Sequence, residues 1–119
     1  MAALRIEGED LVVALTGLER IAAFHGDLRV PRALVRTMRV EPDPWCALRG
    51  IRAPGTGLPG VIAYGVRRST GDRPDFAAVH GRGPAIRIEL DPSARYARLL
   101  VTVLDPEATI AAVARAAGD

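Results

Sequence analysis

The chain has 119 residues, 49% hydrophobic and 25% charged, which gives one folded domain over 1–119 with a single core and excludes a disordered segment. Its net charge is only +2, and its 16 basic residues, all arginine, are interspersed with 14 acids, so the extended positive field of a nucleic-acid binder is excluded. A single cysteine, Cys46, rules out an internal disulfide, and no apolar run reaches the roughly 18 residues of a membrane span, which predicts a cytoplasmic protein without a transmembrane segment.

In chain order, MAALRIEGED meets acids before any apolar run of signal-peptide length. LVVALT (11–16) reads as a strand, and Leu18, Ile21 and Ala22 recur at helical spacing between Gly17 and Gly26, which predicts a short helix or turn there. DLRV (27–30) and VRTMRV (35–40) supply two further strands. VIAYGVRR (61–68) and DFAAVH (75–80) flank the turn-forming STGDRP and predict a hairpin. In AIRIEL (85–90), Ile86, Ile88 and Leu90 alternate with Arg87 and Glu89, the period of a half-buried strand. RLLVTVL (98–104) completes a set of about seven strands. The last element is a helix: Asp105 suits the N-cap, Pro106 the first helical position and Glu107 the positive end of the dipole. Ile110, Val113, Ala114 and Ala117 then form one apolar stripe, while the outward Ala108, Ala111 and Ala112 suit a partner helix or self-association.

The stretch EPDPWCALRGIRAPGTGLPG (41–60) reads as the longest segment without regular structure. Gly55, Gly57 and Gly60 match G-x-G-x-x-G, but Pro59 removes a donor and the β-type VIAYGV follows in place of a helix, so a dinucleotide site is not expected. A lysine to complete a phosphate-binding P-loop is also absent, as the whole chain lacks lysine. The conformational reading leads: Gly50, Gly55 and Gly60 permit positive φ, Pro54 and Pro59 fix φ, and Trp45 anchors a stiff loop that closes one end of a barrel. A second reading sets Arg49, Arg52, Arg67 and Arg68 around an anion, since guanidinium forks suit phosphate or carboxylate. His25, His80 and Cys46 lack a base or further ligand at useful spacing, so the sequence predicts no catalytic residue, no metal site and no cofactor.

The layout of about seven strands and one capped helix is mainly β, α+β, and resembles a pleckstrin-homology-like antiparallel, partly open β-barrel capped by a C-terminal α-helix. GLERIAAFHGDLRVP (17–31), RGIRAPGTGLPG (49–60), DFAAVH (75–80) and YARLLVTVLDPEATIAAV (96–113) resemble a family of small actinobacterial proteins of unassigned function that is similar to bacterial pleckstrin-homology domains. The resemblance implies a bacterial, non-enzymatic module and transfers no catalytic residue. Relatives in the wider fold often hold phosphoinositides with basic residues in the first inter-strand loops. Between Thr16 and Pro31 this chain has only Arg20 and Arg29, offset by Glu19 and Asp27, and departs from that pattern. The leading expectation is therefore binding of a protein or peptide partner, at a strand edge or along the helix, with homo-oligomerisation as one form of it. The alternative is a small anion or lipid headgroup held by the four arginines, with contact to a membrane surface.

Overall fold

The computed structural model describes residues 1–23, 26–48, 51–58, 61–68 and 73–118, with the backbone alone for 22, 23 and 51–58. Among the described residues nine strands in two sheets carry the fold. The first sheet is β1 (Ala3–Glu7), β2 (Asp10–Ala14) and β3 (Leu28–Pro31), antiparallel in that order. The two-residue turn between β1 and β2 has Gly8 at φ 61°, which a side chain would strain. The second sheet has the order β4 (Val35–Glu41), β8 (Ala85–Leu90), β9 (Arg98–Val101), β7 (Asp75–His80), β6 (Ile62–Arg68), β5 (Ile51–Leu58). The two sheets are not joined into a closed barrel by strand pairing among the described residues.

Several expectations hold. Ile86, Ile88 and Leu90 are buried while Arg87 and Glu89 are half-buried, and β6 and β7 form the antiparallel pair expected of them, Ile62 opposite His80 through Arg67 opposite Asp75. Helix α3 (Pro106–Gly118) starts as its sequence demands, with the Ala108 N–H donating to Asp105 Oδ1 at 3.1 Å.

Other expectations are corrected. The sheet is not wholly antiparallel, because β9 lies between β8 and β7 and runs parallel to β7, with Phe76 opposite Leu99 and Ala78 opposite Val101. There are more than seven strands, since β1 and β5 join the set. β5 occupies the stretch read as irregular: its backbone pairs with β6, and the register breaks between Arg52 and Gly55, around Pro54. An edge strand with an interrupted ladder is where proline is tolerated. The same stretch also holds the one-turn helix α2 (Pro44–Ala47), capped by Asp43, whose side chain accepts from the Cys46 N–H. In α3 only Val113 is buried and Ile110 half-buried; Ala114 and Ala117 of the expected stripe are exposed, because the helix lies along edge strands β1 and β4 and spans a seam, not a broad sheet face.

Between the sheets, Leu11 and Val13 of β2 meet Phe76, Ile86, Ile88, Leu99 and Val101, all 1% exposed or less. The outer face of the large sheet carries a smaller core. Ala63, Ala77 and Ala85, with Val79 and Leu100, leave a shallow seat on which Trp45, Ala47 and Leu48 pack. The Trp45 indole N–H donates to the Gly81 carbonyl at 2.8 Å, at a position where Gly81 has φ 72°.

The charges are locally matched: Arg20 meets Asp27 at 3.0 Å, Arg29 meets Glu7 at 2.7 Å, and Arg87 meets Glu89 at 2.6 Å and Glu41 at 3.3 Å. Hydrogen bonds from the Ser93 side chain and N–H, then from Arg36, hold the Asp91 carboxyl well below the usual carboxylate range. The Leu15 N–H and Arg20 lower Asp27, and Arg5 and Arg29 lower Glu7. Depressed carboxyls bind protons more weakly in the folded chain than in the unfolded one, where the ordinary values are 3.8 and 4.5. Their contribution is therefore complete above about pH 5 and is lost as pH falls through about 4 and below. Thermal denaturation from pH 6 to pH 2 is expected to show a falling Tm, and Asp91→Asn to flatten that fall; a Tm independent of pH over this range contradicts it.

Candidate functional site

Thr16-Gly17-Leu18-Glu19 has the S/T-x-x-E spacing of a capping box, and it starts helix α1 (Gly17–Ala23). The Glu19 N–H donates to Thr16 Oγ1 at 3.2 Å, and the Thr16 N–H donates to Glu19 Oε1 at 2.9 Å. This reciprocal closure turns Glu19 inward, where it is 5% exposed. Burial first, then the Glu19 charge, pushes the phenol of Tyr64, on β6, up to about 12. With an acid on the inward side of a helix that lies over β5 and β6, Leu18 and Ile21 are left 81% and 71% exposed, the reverse of the burial their spacing predicts.

Beneath α1 the core opens into a bowl of about 430 Å³ lined by Met1, Thr16, Leu18, Glu19, Ile62, Tyr64 and His80. Ile62 and Tyr64 belong to the face of β6 that looks between the sheets, so the bowl is an open mouth of the sandwich. Its walls are mainly apolar with a few polar groups at one side, the usual constitution of a binding pocket. Met1, itself exposed, adds to the apolar rim.

The residues singled out from sequence fall elsewhere, except His80. Arg49, Gly50, Pro59, Gly60 and His25 lie outside the described residues. Arg52, Pro54 and Gly55 fall on the β5 backbone, where Arg52 is opposite Arg67 and Ile51 opposite Arg68. On its other side Arg67 is in register with the buried Asp75. Trp45 sits on the outer sheet face, away from the mouth. Cys46 does not line the bowl; its Sγ is 3.0 Å from Asp43 Oδ2, and that hydrogen bond and charge push its thiol up, opposite to the shift that activates a nucleophile. His80 stands at the rim, its N–H donating to Thr102 Oγ1 at 3.1 Å. Among the described residues no group of three or more His, Cys, Asp or Glu is placed to hold a metal ion.

Sequence reasoning missed Glu19 and Tyr64 as site residues. The capping-box spacing was a legible signal for Glu19; nothing local announced Tyr64. No family model, curated protein or solved structure matches the chain. No helix among the described residues is long and apolar enough to cross a membrane.

Proposed function

We propose that the protein is a non-enzymatic, pleckstrin-homology-like module of the cytoplasm that binds a protein or peptide segment at the mouth beneath α1. One observation carries this reading: Leu18 and Ile21, two large aliphatic side chains, stand almost fully in solvent on one short helix, beside a mainly apolar bowl. Single exposed apolar residues are ordinary, but Leu18 lines the concave apolar wall and Ile21 stands three residues along the same helix, a patch of the kind that marks interaction sites. The Leu18→Asp/Ile21→Asp double variant is expected to keep its circular dichroism spectrum and melting temperature, since both positions are exposed, and to lose partners that the wild-type protein captures by crosslinking and pull-down from the native host. With anchors worth about 1–2 kcal/mol each, affinity falls on the order of tenfold or more. Undiminished capture by the double variant overturns the reading.

A second reading, a small anion or lipid headgroup, is favoured by the register that sets Arg52 opposite Arg67. Thermal denaturation with phosphorylated metabolites and with anionic liposomes at two salt concentrations tests it. A stabilisation that fades with salt supports it; no shift removes it.

A further inference from the structure

Resting on the mouth beneath α1 as the binding site, we infer that its occupant is a basic side chain of a partner peptide, arginine or lysine, flanked by aliphatic residues. The argument is a count of donors and acceptors. The backbone N–H groups of Thr16 and Glu19 are both consumed by the capping box, so those two offer nothing to an incoming anion. The Glu19 carboxylate is an acceptor with room for about four hydrogen bonds and receives one from the Thr16 N–H. Acceptors in a mainly apolar bowl select a donor, and a buried carboxylate selects a cationic one.

The charges around it agree. Arg20, the guanidinium nearest in sequence, is turned away to Asp27 at 3.0 Å and to the Leu15 carbonyl at 3.3 Å. The one cation placed within ion-pair range of Glu19 among the described residues is the Met1 α-amine, 3.9 Å from Oε1, too far for a hydrogen bond. A positive group is thus accommodated beside the carboxylate, and the short contact remains to be made. Arginine and lysine have the matching shape, a methylene stem that lies along apolar walls such as Leu18 and Ile62 with a charged head at its end. A bowl of about 430 Å³ is within the range of ligand pockets and holds one such side chain with part of its aliphatic neighbours.

The test uses the full chain and three peptides, acetyl-Gly-Ile-Arg-Ile-Gly-amide and its forms with norleucine or glutamate in place of arginine. Titration calorimetry, with amide chemical shifts of Leu18, Ile62 and Tyr64 as the locator, is expected to rank arginine about tenfold above norleucine, with glutamate weakest. Glu19→Gln retains a capping-box residue, so the helix start is kept, and is expected to bring the arginine peptide down to the norleucine level while leaving the norleucine peptide unchanged. Equal binding of the arginine and norleucine peptides by the wild-type chain overturns the basic anchor without recourse to any variant. So does undiminished arginine-peptide binding by Glu19→Gln. If no peptide binds, the basic anchor is likewise overturned, and loss of native partners by the Leu18→Asp/Ile21→Asp variant then still upholds the mouth as the docking surface.

Discussion

Phe76→Ala is expected to lower the free energy of unfolding by about 3–5 kcal/mol, a large share of the 5–15 kcal/mol that holds a domain of this kind together. Phe76 is 0% exposed, stands in register between Val66 of β6 and Leu99 of β9, and meets the Tyr96 ring at a centroid distance of 5.8 Å and an angle of 56°. Truncation removes the ring contact and leaves a cavity that strands on either side are too well paired to fill. Urea titration reads the result as a lower midpoint at constant slope. The neighbouring Tyr96→Phe gives the contrast, since the Tyr96 hydroxyl is buried without a hydrogen-bond partner among the described residues and its removal costs little or is stabilising. A loss below about 1.5 kcal/mol for Phe76→Ala is at odds with a central place in the core.

Arg73→Met is expected to cost about 2–3 kcal/mol, although Arg73 lies in no strand or helix. Its Nη1 donates to three carbonyl oxygens, of Asp91 at 2.9 Å, Ala94 at 2.8 Å and Tyr96 at 2.8 Å. One guanidinium thus gathers the turn that joins β8 to β9 and ties it to the segment entering β7. Methionine keeps an apolar stem and removes the donors, so the Ala94 and Tyr96 carbonyls lose the Arg73 bond and the Asp91 carbonyl is left with the Ala94 N–H. The loss is expected as a lower urea midpoint and as faster hydrogen exchange at the Ala94 amide, which donates to the Asp91 carbonyl inside that turn. Unchanged exchange at Ala94 shows that the clasp does not organise the turn.

What could be read beforehand was what side chains advertise locally. The alternation of Ile86, Ile88 and Leu90, and the Asp105-Pro106-Glu107 start of α3, carry their structure in their own residue types. β5 was not legible because Pro54, Gly55 and Gly57 supply no alternating apolar pattern; its pairing comes from the β6 backbone, a partner the stretch does not describe. The parallel pairing of β7 with β9 was hidden for the same reason, since no local pattern distinguishes a neighbour in sequence from a neighbour in the sheet. In α1 the apolar spacing of Leu18 and Ile21 pointed to burial, yet the cap that starts the helix turns Glu19 inward and leaves them outside. Half of the candidate site was therefore written in the Thr16–Glu19 spacing. The other half, Tyr64 facing that acid, exists only once β6 lies under the helix.

The placement of β9 gives the short link after β7 an unexpected task. β7 and β8 follow one another through residues 81–84 alone, yet they are held two inter-strand spacings apart, about 9.5 Å, with β9 threaded between them. Four residues are enough to bridge that gap, and two would be the length of a tight hairpin that zips β7 directly onto β8. The link therefore acts as a spacer: its length leaves room at the middle of the sheet for Arg98–Val101 to lie between the two strands it joins.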